Sequence, residues 1–264
     1  MIGSVQKALQ ILSIISNQKG NPITLKEISE QMQIPKPTCS HLLETLRLEG
    51  YVKKAAHSGG YTLGPSLYHL TRFGKYEEDI STLCRPVMRW LESKTGATVA
   101  LSIIENEKKY IIEHFDNYQK IYPEHWDIME DSIYRTATGR VIMAFMPMDK
   151  VYKIWEKLGP PRKGHWDAVK TYKDLQEELL KIRTQTMVIT DADPNHPKPI
   201  TGFACPILKG NKCIAALGIA WSRTTESDEE YRIIKEKLYK RLLLAKKEIE
   251  RRLNYEKSMA LNNC

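Results

Sequence analysis

Lys36, Thr38, Ser40 and His41 cluster at the start of one short amphipathic stretch, and together they offer cations, hydroxyls and ring N–H donors. Donors of this kind bond phosphate oxygens, and at the start of a helix they can reach base edges in a major groove. Lys53, Lys54 and His57 follow on a basic hairpin, placed to meet phosphate or the minor groove, and Lys26 adds a cation just upstream. Arg47 has two readings, DNA contact or a surface ion pair with Glu44. A second constellation is Thr136-Ala137-Thr138-Gly139, a small-residue turn opening a helix. Free backbone N–H groups and the helix dipole favour an anion such as a carboxylate there. Gly139 is equally suited to simple helix–sheet packing. Asp191, Asp193 and His196 have the donor types for a divalent metal, yet Asp, Asn and Pro around them also make a natural turn. Cys205 would be a nucleophile only beside a positioned base, and none lies at a recognisable spacing. The chain has no G-x-S-x-G, no G-x-x-x-x-G-K-[ST] and no H-E-x-x-H.

The first set needs a specific scaffold. Thr24 with Glu27 predicts a capped helix start, and Leu25, Ile28 and Met32 continue it at helical spacing. Gln33-Ile34 leaves a tight turn, Pro35 or Pro37 can open the next helix, and Gly50 stops it. Cys39, Leu42, Leu43 and Leu46 are its core face. Tyr51–Lys54 and Tyr61–Leu63 read as strands around a His57–Gly60 turn. Ahead of these, Val5, Ala8, Leu9, Leu12 and Ile15 suggest a first helix with its own apolar stripe. Three helices and a hairpin make a winged helix-turn-helix, whose second motif helix enters the major groove of duplex DNA.

Charge follows the same division. Residues 1–75 hold nine Lys/Arg against four Asp/Glu, so the basic excess of a chain with formal charge +8 concentrates there. The five cysteines, at 39, 84, 205, 213 and 264, include no C-x-x-C pair, which argues for a reducing cytosol and against a disulfide frame or zinc ribbon. No signal-peptide apolar region stands at the N-terminus, and the longest apolar stretch, Cys213 to Trp221, is too short to span a bilayer. We therefore expect a cytoplasmic protein with no membrane partner.

Beyond Gly64-Pro65 the pattern predicts a connecting helix from Ser66 to Tyr76 and a second from Ile80 to Lys94, with Pro86 inside it. Strands follow at Ala97–Glu105 and Lys109–Phe115, with a short one near Lys120–Tyr122. Helices are expected over Arg140–Met146, Pro147–Leu158 and around Leu175–Ile182. Strands Met187–Thr190, Gly202–Leu208 and Lys212–Trp221 precede a long final helix. Hairpins with helices make an α+β domain.

The stretches SVQKALQILSII, LKEISEQMQIPKPT, HLLETLRLEGYV and YTLGPSLYHL resemble the isocitrate lyase regulator (IclR) family of transcription factors. YRTATGRVIMAFMP and FACPILKGNKCIAALGIA resemble that family's GAF-like effector-binding domain more loosely. Pro37 stands where relatives carry a small residue, and His41 where they often carry Arg, so an operator sequence cannot be transferred. The resemblance implies an effector pocket walled by the final hairpin. Its Cys and two Ser in acid-binding relatives align with Gly202, Gly218 and Ala220 here, which predicts a roomier cavity and a larger or more aromatic carboxylate. It also implies that Asp191 or Asp193 faces the effector. Phe203, Cys205, Trp221 and Trp126 are candidate lining residues, or simply core.

The expectation is thus a winged helix-turn-helix domain over residues 1–64, a linker helix over 65–79, an effector-binding domain over 80–254 and a flexible tail over 255–264. Function follows as a DNA-binding regulator controlled by a small-molecule effector, with no cofactor, no metal and no catalysis, working on a palindromic operator as a homodimer or a dimer of dimers. The alternative is a small-molecule-binding or catalytic domain with an N-terminal protein-interaction module.

Overall fold

The computed structural model describes residues 2–18, 20–55, 59–71, 80–116, 132–190, 200–222 and 227–262, the last eight of these by backbone only. The chain divides into two compact units, Met1–Tyr76 and Glu77–Cys264.

In the first unit, α1 spans Gly3–Ser16, α2 Leu25–Met32 and α3 Lys36–Leu48. The capping box is present. Thr24 Oγ1 accepts from the Glu27 N–H, and the Glu27 carboxylate accepts from the Thr24 N–H at 2.8 Å. Gln33 ends α2 in the left-handed region, and Pro35 caps α3 with Pro37 in its first turn. The core joins Ile11, Ile15, Ile23, Ile28, Cys39, Leu43, Leu46 and Val52. The α1 stripe holds in part: Ile15 is buried and Ala8 and Leu12 pack against the core, where Ile11 joins them, whereas Val5 and Leu9 are more than half exposed. Helical spacing in so apolar a segment leaves the stripe's edge open, and tertiary packing set it.

The wing pairs β1 (Val52–Lys54) with β2 (Tyr61–Leu63) in antiparallel register, Lys53 opposite Thr62. Ile23 adds a backbone bridge to Tyr61 that the sequence did not announce. Gly50 adopts φ +74°, and Ser66 at the start of α4 (Pro65–Thr71) donates its hydroxyl to the Glu49 carbonyl at 2.8 Å. His57 and the predicted helix beyond Thr71 lie outside the described residues.

The second unit is a five-stranded, wholly antiparallel sheet in the order β4-β3-β7-β6-β5. Its strands are β3 (Thr98–Glu105), β4 (Lys108–Phe115), β5 (Val188–Thr190), β6 (Ile200–Lys209) and β7 (Lys212–Ser222). On one face α5 (Ile80–Thr95) and α10 (Asp228–Asn262) cover Val99, Leu101, Phe203, Cys205, Leu217 and Ile219. Packed toward the other are α6 (Ser132–Arg135), α7 (Ala137–Phe145), α8 (Met148–Leu158) and α9 (Tyr172–Gln185), which share a core with Ala204 and Ala216. The sheet is therefore buried on both faces, as in an α+β sandwich. The α10 backbone is helical to Asn262, past residue 255 at which the sequence pattern starts the tail. The strand near Lys120–Tyr122 and Trp126 fall outside the described residues.

Candidate nucleic-acid and effector sites

Burial of Cys39, Leu43 and Leu46 turns the opposite side of α3 outward, and Lys36, Thr38, Ser40 and His41 are all exposed. Among the described residues none of these four side chains has a hydrogen bond or ion pair. At 1.5 Å per residue the helix is about 20 Å long, enough to lie along several base pairs. Arg47 takes the bland option: its Nε and NH2 donate to the Glu44 carboxylate at 2.9 and 2.7 Å. That bidentate pair holds the Glu44 carboxyl below its usual range. Lys26 lies 3.9 Å from Glu30 in an exposed pair. Lys53 and Lys54 are exposed neighbours on β1, so pleating aims them to opposite sides of the wing. Thr45, which shares the outward face with His41, was missed; its hydroxyl is occupied by the His41 carbonyl at 3.0 Å.

At the second site Thr136 caps α7, accepting from the Gly139 N–H at 3.2 Å. Gly139 has a packing reason of its own. A Cβ there would stand 2.7 Å from the Ile133 Cα and closer still to the Ile133 carbonyl oxygen. The contact is with α6 rather than with the sheet. A Cβ on Gly202 would meet Thr190 Oγ1 at 2.6 Å, with Ala137 beyond it, and one on Gly218 would meet the Thr138 methyl at 2.5 Å. Gly218 thus lets α7 settle onto the sheet with the Thr138 methyl filling the space, and at Gly202 the space is held by Thr190 of β5. The expected gain in cavity volume at these positions is corrected accordingly.

Strand alternation corrects a second expectation. Gly202 and Ala204 on β6, and Ala216, Gly218 and Ala220 on β7, point toward α7. Phe203, Cys205 and Trp221 belong to the opposite face, with α5 and α10. Residues one apart on a strand cannot line one cavity, so these three leave the Thr136–Gly139 neighbourhood. Trp221 instead stacks on Tyr231 of α10, with ring centres 5.8 Å apart. Asp191, Asp193 and His196 lie outside the described residues, among which no group of three His, Cys, Asp or Glu could hold a metal. Burial pushes the Cys84 and Cys213 thiols up to about 12, and Cys205 higher, so none is poised as a thiolate.

Three residues escaped the sequence reading. Arg140 is half-buried and locks the α6–α7 elbow, donating from Nε to the Tyr134 carbonyl at 2.7 Å and from NH2 to the His165 carbonyl. Ser102 on β3 is fully buried, and Lys109 on β4 is 6% exposed. A Lys-Lys pair at a strand start signals solvent, so only the folded sheet reveals the burial of Lys109.

Residues 4–56 match the family model described as the IclR helix-turn-helix domain, and residues 76–242 match the bacterial transcriptional regulator IclR C-terminal model. The chain belongs to the IclR family. It is an IclR-type transcriptional regulator with a helix-turn-helix DNA-binding domain and a C-terminal effector domain. Among IclR-family relatives, the Escherichia coli regulator RhmR is 25% identical over 237 residues, covering 88% of this chain and 86% of that protein. The E. coli regulator XynR is 29% identical over 146 residues, 55% of this chain and 58% of its own length. Two solved structures share the fold at a TM-score of 0.70. One, from Alicyclobacillus acidocaldarius, is 19% identical and covers 96% of this chain and 99% of its own. The other, an IclR homologue of Microbacterium hydrocarbonoxydans complexed with 4-hydroxybenzoate, is 17% identical with the same coverage. Among the described residues no helix is long and apolar enough to cross a membrane.

Proposed function

We propose that this regulator binds a two-fold symmetric operator through α3 and the β1–β2 wing, in the cytoplasm, and that a small organic acid held by the C-terminal unit tunes that binding. The observation that carries the reading is the start of α3, where Lys36, Thr38, Ser40 and His41 are exposed with no side-chain partner among the described residues. In water these exposed donors are hydrated, and on DNA they exchange that water for phosphate or base partners. Lys53 and Lys54 add phosphate contacts, Lys26 contributes from α2, Arg47 shapes the groove edge through Glu44, and the sequence pattern adds His57 to the DNA-binding set. A dimer suits the exposed stripe Ile2, Val5 and Leu9 on α1, spaced to lie along one helix face; pairing those dimers is the further step.

Thr136, Ala137, Thr138 and Gly139 frame the effector end of α7, with Gly202, Gly218 and Ala220 beneath, and the family resemblance adds Asp191 or Asp193 as an effector contact. The carboxylate class is supported by the 4-hydroxybenzoate in the Microbacterium homologue. Ligand changes operator affinity only by favouring one of two arrangements, and chain continuity makes α4 part of the covalent route between the units. Action by binding rather than catalysis accords with the buried thiols.

The test is a gel shift on the DNA flanking the protein's own gene, with and without 4-hydroxybenzoate and smaller acids. Specific retardation that an acid alters supports the reading. No retardation at low salt on any flanking fragment ends the operator part, and retardation insensitive to every acid ends the effector part.

A further inference from the structure

Lys109 faces Ile104 across the β3–β4 pair, and Ser102 faces Ile111 one row along. Tyr110 and Ile112 belong to the α5–α10 core, which turns Lys109 and Ile111 to the other side of the sheet. Ser102 shares that side. Its partner on β7 is Ala216, a member of the α7 core, and its neighbours Leu101 and Ile103 belong to the opposite one. Lys109 and Ser102 are thus diagonal neighbours on one face, with backbones roughly 7–8 Å apart, a gap that a lysine stem spans.

Both groups are withdrawn from water. The Ser102 hydroxyl is fully buried, and among the described residues it has no hydrogen-bond partner and the Lys109 side chain has neither a hydrogen bond nor an ion pair. A buried ammonium without a counter-ion is costly, so the amine either gives up its proton or gains an anion beside it. Burial alone pulls the Lys109 amine down to about 8, with no acid acting on it. The α7-side helices close over this part of the sheet, since α7 packs on β3 and α6 on β4.

We propose that Lys109 and Ser102 form a receiving pair for the carboxylate of the effector, with the ammonium supplying charge and the hydroxyl a second donor. This rests on the reading of the C-terminal unit as an acid sensor. Ile104 and Ile111, the cross-strand partners of the pair, make the surroundings apolar, which selects a monocarboxylate on a hydrocarbon or aromatic body. One ammonium and one hydroxyl supply too little charge and too few donors for a phosphate dianion. The site lies on the β3–β4 side of the sheet, with Gly218 of β7 one diagonal step from Ser102 on the same face and Gly202 one strand further on.

Calorimetry on the full chain tests it with acetate, benzoate and 4-hydroxybenzoate, each compared with its amide. The wild-type protein should bind at least one acid ten-fold or more tighter than the matching amide. Lys109→Met should abolish that preference while keeping amide affinity, which also reports an intact fold, and Ser102→Ala should reduce the preference several-fold. A preference undiminished in both Lys109→Met and Ser102→Ala overturns the pair and leaves the acid-sensor reading standing. Failure of all three acids to bind the wild-type chain removes both.

Discussion

The Arg140 guanidinium lies 4.4 Å from the centre of the Trp166 ring while its Nε bonds the Tyr134 carbonyl. One side chain therefore ties α6, α7 and the loop before α9 together. Its burial lowers the guanidinium to about 10, still far above neutrality, so it is a permanent cation held by carbonyl oxygens and a ring face. We expect Arg140→Met to cost about 1–3 kcal/mol, because two part-buried carbonyls lose their donor. Denaturant unfolding of the C-terminal unit reads this; a loss below about 1 kcal/mol would mean that the elbow holds without it.

Thr138 and Gly218 should be energetically coupled. Gly218→Ala drives a methyl into the Thr138 methyl, and Thr138→Ser removes that methyl. In a double-mutant cycle the pair should show a coupling of roughly 1 kcal/mol or more. Additive costs would place the strain of Gly218→Ala elsewhere, for instance on the Phe203 carbonyl, 3.3 Å from the added atom.

Lys109 makes a pH-dependent prediction. Its amine falls to about 8 in the folded chain from a reference of 10.5, so the unfolded chain holds the extra proton between those values. Stability then rises with pH across that window, and the penalty is greatest below 8. Lys109→Met should stabilise the ligand-free protein near neutrality by an amount on the order of 3 kcal/mol, with the advantage fading as pH climbs from 8 toward 10.5. A pH-independent difference between the two melting profiles would contradict this origin.

On DNA, Lys36→Ala and Lys53→Ala should each weaken binding and flatten the log–log salt slope by about 0.9 for every phosphate left without its cation. Arg47→Ala should leave the slope nearly unchanged, because Glu44 already holds that guanidinium. Fluorescence anisotropy over a salt series separates the cases, and an unaltered slope in both lysine variants would move the docking face.

Local chemistry was legible wherever a backbone group needed a specific side chain. Thr24 and Glu27 announced α2, Pro35 and Pro37 announced α3, and the hairpin strands were placed within a residue or two. The four-residue α6 is too short to show a period, so the elbow against which Gly139 packs was invisible. Face assignment failed where two neighbouring apolar residues on β6 were both taken as lining, since composition does not say which side of a two-sided sheet faces the ligand. Ser102 and Lys109 were unreadable for a related reason: a polar residue in a strand suggests the wet side, and here both sides are dry.

The closeness of Gly139 to Ile133 has a practical bearing on any search for signal-blind variants. Gly139→Val would prise the elbow open before any messenger arrived, and the resulting silence would report a broken hinge rather than an unheard ligand.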